Sequence, residues 1–281
     1  MNILLIFLAI LPGLVISFLI IRADRYEREP KLLMASAFIL GGLITYPTML
    51  VEGLFVDLGW EESRNVFRVF LFALLFVGVI EEFFKFICFG ASYFHKAFNE
   101  PLDGIVYAVL IAMGFATVEN IFYADQFGVP TIMLRAFTAV PAHGAFAVVM
   151  GYYVGLSKTD KKQRWKLILY GLGLASFLHG LYDFFIIQPY ADWLRALATL
   201  VLIFSGYLAY RMVIILQNQS PFHPDNITLT NQEVAPTVVE SVVPIEAPVD
   251  ISPKDIPDSY SNDILFSAID KAQTKTNTEE E

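Results

Sequence analysis

Long apolar runs alternate with short polar ones along most of the chain. Seven runs are long enough to cross ~30 Å of hydrocarbon as helices, at about 2–21, 32–56, 66–92, 102–124, 129–156, 164–188 and 191–216. The pattern predicts an all-α fold: a polytopic membrane helix bundle of about seven transmembrane helices over residues 1–217. The first run lacks a basic leader and a small-residue cleavage site, and it ends at Arg22-Ala-Asp-Arg25. It reads as a retained helix rather than a secretory signal. Trp60, Trp165 and Trp193 fall at predicted helix ends, where an amphipathic ring suits the membrane interface.

From about Asn218 the periodicity stops. Residues 218–281 hold 7 of the 14 prolines and no sustained apolar repeat, so they cannot bury enough surface to offset chain entropy. An acidic, Pro-rich, disordered cytoplasmic tail is expected there. A short apolar patch, Ile264-Leu-Phe-Ser-Ala-Ile269, is the part of it that could dock on a cytoplasmic partner as one helical turn.

Composition sharpens this picture. With 56% apolar and 17% charged residues, the chain is too apolar for one soluble domain and too charge-poor for a nucleic-acid binder. The net charge of −9 belongs entirely to the tail. Residues 1–217 carry 16 acidic and 16 basic side chains, whereas 218–281 carry 12 acidic and 3 basic. The acidity therefore says nothing about a substrate of the bundle. Lys and Arg are distributed unevenly between the two sets of connections, 11 against 3. That bias predicts a cell-membrane protein with its N-terminus outside and its C-terminus in the cytoplasm. A single cysteine, Cys88, excludes an intramolecular disulfide and a Cys-based structural zinc site. The lack of a Gly-rich phosphate loop argues against an ATP-driven machine.

Charge inside the spans is where chemistry is expected. Lys85, Arg135, Glu52, Glu81, Glu82, Glu119, His143, His179 and Asp183 all fall within predicted helices. A charged group at a helix centre costs roughly 2.5–3.5 kcal/mol, so such residues mark a function or a paired interior network. Lys85 follows Glu81 by four residues and Glu82 by three and can reach both. The two carboxylates differ by about 100° around the axis. One is expected to point at the site while the other is held by Lys85, poising a general base; the structural alternative is an ion pair that joins helices. Glu119 is a third carboxylate, beside the amide of Asn120. His143 on its own reads as a hydrogen-bonded core histidine. His179 and Asp183, at i and i+4, share a helix face and suit either two metal ligands or a histidine oriented by a carboxylate. Gly151-x-x-x-Gly155 fits close helix packing.

Taken in order, Glu81-Glu82-x-x-Lys85, Glu100-Pro-Leu-Asp103-Gly-Ile-Val-Tyr107, Phe115-x-x-x-Glu119-Asn120, His143 and His179-x-x-x-Asp183 resemble the PrsW family of intramembrane proteases. That family is related to the CAAX prenyl endopeptidase group. The resemblance covers roughly 80–190. Glu119 and Asp183 stand where the prenyl endopeptidases have histidine and asparagine, so the prenyl-protein substrate does not carry over. The resemblance implies cleavage of a membrane-anchored protein in the lipid bilayer, such as an anti-sigma factor, with no nucleic acid involved. It implies Glu81 and Glu82 as source of the general base, His179 as oxyanion stabiliser, and Glu119 and Asp183 ordering water or the histidine. Lys85, Asn120 and His143 would support them. Glu100, expected at the cytoplasmic start of a helix, would be structural or gating through the helix dipole. A metal-free, glutamate-type mechanism is favoured because no His-Glu-x-x-His arrangement occurs. Should a metal bind, Zn²⁺ held by His143, His179 and Asp183 with the glutamates is the candidate. The competing readings are a proton- or ion-coupled transporter using the same groups as a relay, and a non-catalytic membrane scaffold.

Overall fold

The computed structural model describes residues 3–60 and 65–227. Helix α1 (Ile3–Ala23) and helix α2 (Lys31–Asp57) are followed by α3 (Val66–Leu71), a π-helical segment (Phe72–Val79) and α4 (Ile80–Tyr93). The residues joining these last three pieces are right-handed helical, so they form one rod. Helices α5 (Pro101–Phe137), α6 (Ala139–Thr159), α7 (Arg164–Ile187) and α8 (Arg195–Gln219) complete the bundle, with a 3₁₀ turn (Asp192–Leu194) before α8. No strand occurs among the described residues. Among the described residues, five helical stretches are long and apolar enough to cross a membrane: α1, α2, 101–159, α7 and 192–227. The all-α membrane bundle expected from the apolar runs is the observed architecture.

The stretch 101–159 departs from expectation in its breaks. The break at Gly128 (φ 73°) falls in the gap expected between 102–124 and 129–156, but the chain breaks again at Thr138 (φ −124°, ψ −76°), inside the second expected helix. Both breaks have a local cause. Gly128 adopts a backbone conformation that a side chain disfavours, and Pro130 follows it. Pro141 has no N–H to offer the carbonyl four residues back, and its ring crowds that carbonyl, so regular helix cannot run through Phe137 and Thr138. The short piece 129–137 between the breaks folds back towards the preceding turn.

Helix α5 is the axis of the bundle and packs against α1, α2, α4, α6 and α8. Every residue from Leu102 to Thr117 is buried, which is why its sequence is apolar all round rather than on one stripe. Glycines permit the closest crossings. A methyl on Gly41 or Gly114 would collide with the backbone of α5 or α2 respectively. Gly151 and Gly155, in the small-xxx-small pattern, lie against the backbone of Gly104 and Pro101. Helices α1, α2 and α8 instead expose large apolar side chains such as Phe18, Leu43 and Ile203, as a lipid-facing surface requires.

At the end of the bundle where α5 begins, the α1–α2 connection folds inward. Tyr107 donates its hydroxyl to Glu29, and Asp103 accepts from the backbone N–H of Asn99 (2.8 Å) and Glu100 (2.9 Å). Gln217 of α8 bonds the carbonyl of Ala23 at 2.6 Å. The expected tail opens with a packed turn: Ser220 is buried, and Asn226 donates to its carbonyl at 2.8 Å. The remainder, 228–281, with the 264–269 patch, lies outside the described residues.

Candidate functional site

Two crossings build the site. Gly78, in the π-helical segment one turn before Glu81, lies so close to α7 that a Cβ there would sit 2.6 Å from Gly180 N and Ser176 O. Gly180 in turn lies against Leu74, where a Cβ would be 2.6 Å from its Cα. This backbone contact sets Glu81 and Glu82 beside His179. A π turn also changes helix register, which rotates the two carboxylates relative to α3. On the other side, α5 and α6 present Glu119 and His143.

Lys85 is the hub. Its Nζ lies 3.0 Å from Glu81 Oε2, 2.9 Å from Glu82 Oε1 and 3.0 Å from His143 Nδ1, and it sits 4.4 Å over the Phe115 ring. All three ammonium protons are thus used. The sequence suggested that Lys85 would hold one glutamate and leave the other free. It holds both, because i+3 and i+4 are both within reach of a long side chain. An ammonium donating to His143 Nδ1 fixes that ring's tautomer: Nε2 carries the proton and donates to Glu119 Oε2 at 3.0 Å.

Glu119 is held on its far side by Arg135, whose terminal nitrogen lies 2.7 Å from Oε2. Arg135 also donates from Nε to Asn120 Oδ1 at 2.7 Å and stacks over Tyr123 at 3.9 Å. The fold-back of 129–137 after Gly128 is what brings this guanidinium to the site. His179 bridges two carboxylates, with Nδ1 2.9 Å from Glu82 Oε1 and Nε2 3.1 Å from Asp183 Oδ2. Its ring stacks on Phe146 at 5.1 Å.

These groups surround a cavity of about 390 Å³. Glu81, Glu119, Arg135, His143, His179 and Asp183 reach its wall, and Glu82 does not. Glu82 is 1% exposed and lies behind, clamped between Lys85 and His179. Of the residues expected from sequence, the structure therefore gathers Glu81, Glu82, Lys85, Glu119, His143, His179 and Asp183, with Asn120 touching the cluster through Arg135. Glu100 is elsewhere. It caps the N-terminus of α5 in a reciprocal capping box with Asp103, roughly 28 Å along the helix from Glu119. Sequence reasoning gave no role to Arg135 or Glu52, both of which line the cavity. The signal was their charge inside an apolar span, with no motif around it.

A profile described as "PrsW family intramembrane metalloprotease" matches residues 29–214. Protease PrsW of Geobacillus kaustophilus is 36% identical over 177 residues, covering 63% of this chain and 76% of that protein. Protease PrsW of Bacillus subtilis is 34% identical over 188 residues, covering 66% and 83%. Protease PrsW of Clostridioides difficile is 33% identical over 190 residues, covering 65% and 79%. No solved structure matches the chain.

That description implies a metal, and the residues fit one in type and spacing. Glu81, His143 and His179 offer ligand atoms that all lie within 4.8 Å of one another, a carboxylate and two imidazoles of the kind Zn²⁺ takes. Of the expected set of His143, His179 and Asp183 with the glutamates, His143, His179 and Glu81 form this group; Asp183 lies one turn further along α7 and engages His179 Nε2. Lys85 shares two of the three groups, Glu81 and His143, at 3.0 Å each. With its long apolar helices, its interior cluster of charge and a profile match over 29–214, the chain is a multi-pass membrane peptidase and belongs to the PrsW family of intramembrane proteases.

Proposed function

We propose that the chain is an endopeptidase that cuts membrane-anchored proteins by carboxylate-activated water, with Glu81 as the general base. The observation that carries this reading is the division of labour in the glutamate pair. Glu81 faces the cavity, while Glu82 is sealed behind it between Lys85 and His179. Glu81 accepts a proton from a water in the cavity, and the water oxygen attacks the scissile carbonyl carbon. His179, held through Nδ1 by Glu82, turns its Nε2 proton from Asp183 to the developing oxyanion, and Arg135 places further positive charge on the same wall. The tetrahedral intermediate collapses with rupture of the C–N bond, and the proton held by Glu81 passes to the leaving amine. His143 takes no proton from water, since Nδ1 accepts from Lys85 and Nε2 donates to Glu119; it locks Glu81's neighbour in place.

The metal-free reading is supported by Lys85, whose ammonium already satisfies the oxygen and nitrogen that an ion would take. If Zn²⁺ binds, Glu81, His143 and His179 would hold it, and the ion would supply Lewis-acid polarisation of water or carbonyl. Substrates on this reading are single-pass regulators of the anti-sigma type. The charge bias of the connections supports an external N-terminus and a cytoplasmic C-terminus.

The test is cleavage of a tagged single-pass reporter by purified protein in liposomes, run with and without a strong chelator and paired with metal analysis of the same sample. Cutting that survives chelation in metal-free protein is expected. Loss of cutting on chelation, restored by Zn²⁺ at one ion per chain, would replace the glutamate-type mechanism by the metal one. Proton-coupled flux without cleavage would favour a transporter.

A further inference from the structure

Glu52 is the one cavity carboxylate that the network leaves unpaired. Glu81 has Lys85, Glu119 has Arg135 and His143, and Asp183 has His179. Glu52 has no ion-pair partner among the described residues, and its Oε1 is buried with no hydrogen bond. Its position is set by α2. Gly41, Thr45, Thr48 and Glu52 follow one another at spacings of four, three and four, on the stripe that faces α5. Gly41 meets the backbone of Ile111, and Thr45 donates to the carbonyl of Phe115 at 3.3 Å. Continuing both helices by one to two turns carries Glu52 to the level of Glu119 and the cavity. The charged groups that bear on it are Glu81, Glu119, His179 and Asp183. Its nearer surroundings on the cavity wall are apolar, with Met49 and Val56 one turn away on either side.

A buried acceptor facing an open cavity with no protein donor is suited to a donor that arrives with the substrate. We propose that Glu52 is the acceptor that binds the substrate through an N–H group next to the scissile bond. The inference rests on the protease reading of this cavity. Two sources supply that chemistry. One is the backbone N–H of a transmembrane segment unwound for cutting, which has lost its helical partner and has no water to replace it. The other is a Lys or Arg side chain near the cut. Glu52 contributes from α2, an element outside the motifs that run from Glu81 to Asp183, so this substrate contact and bond cleavage reside on different helices.

The experiment measures binding and cutting separately. Tagged single-pass peptides, apolar except for one scanned position carrying Ala, Gln, Lys or Arg, are titrated in liposomes against Glu81→Gln protein, which retains the cavity without the base. The same titration is run with Glu52→Gln and Glu52→Ala added. If a basic side chain is the donor, Lys or Arg at one position binds about tenfold or more tighter than Ala, and both Glu52 variants erase that preference. If the backbone is the donor, Glu52→Ala weakens all peptides by a similar factor, and Glu52→Gln, whose amide oxygen still accepts, recovers most of it. Equal binding of every peptide by all three proteins overturns the proposal. Cutting by protein with Glu81 intact is scored in parallel: failure to cut any bound peptide would sink the protease reading while leaving the Glu52 result standing on binding alone.

Discussion

A lysine that donates to two glutamates and a histidine at once determines what each residue of the site can do. With its three protons committed, Lys85 holds Glu81 and Glu82 in place and holds His143 in one tautomer. Replacing Glu81 by Gln should lower cleavage by about 10²–10⁴-fold with little change in folding, because the amide keeps the shape and cannot take a proton. Lys85→Met should act differently. It leaves two buried carboxylates without a counter-charge, and a loss of roughly 3–5 kcal/mol is expected, read as a lower midpoint of thermal inactivation in detergent. If Lys85→Met were as stable as wild type, the network would not be the structural hub its geometry indicates. At this scale the sequence was partly legible. Charge within an apolar run disclosed every member of the network, and i+3 and i+4 spacing disclosed Lys85's reach. Arg135 and Glu52 carried the same charge signal but no local pattern. Which glutamate faces the cavity depends on helix register through a π segment, and no periodicity rule encodes that.

Among the elements, the rod from α3 to α4 and helix α7 meet through glycines, and the site exists because they do. Gly78→Val should drive a side chain into Gly180 and Ser176, separate the helices and abolish activity, with at least about 1–3 kcal/mol of lost stability. Gly90, further along the same rod in α4, has nothing within 4 Å of where a Cβ would stand. Gly90→Ala should therefore keep activity and leave stability unchanged or raised by up to about 1 kcal/mol. Comparing the two variants by thermal inactivation separates the crossing from a general effect of changing glycine in this helix. The apolar runs showed the long elements to within a few residues, except that the run at 129–156 begins ten residues before α6. They missed the second break of the 101–159 stretch, since Pro141 removes a bond from a residue four positions earlier and leaves the local hydropathy untouched. The fold-back that delivers Arg135 lies between that break and the one at Gly128.

For the whole molecule, a second set of acids closes the end of the bundle opposite the cavity. Burial, together with nearby Asp103, Glu100 and Glu27, pushes Asp24 from 3.8 up to about 7; burial, with Asp103 and Glu27, pushes Glu100 from 4.5 up to about 7. The folded chain binds these protons over a range where the unfolded chain has released them. Stability should therefore fall as pH rises from about 4 to about 7 and level off above. Asp24→Asn should flatten that slope and raise the thermal midpoint at pH 7.5; a midpoint that rises with pH would contradict the assignment. Removing 228–281 should leave cleavage of the liposome reporter intact. The claim that governs all of this is that the bundle is a protease driven by Glu81. It is tested most directly by comparing new protein N-termini in membranes that express wild type or Glu81→Gln at matched levels. Fragments of single-pass proteins, cut within or beside their spans and present only with wild type, are the expected result. Identical N-termini in the two membranes, across several stress conditions, would contradict it.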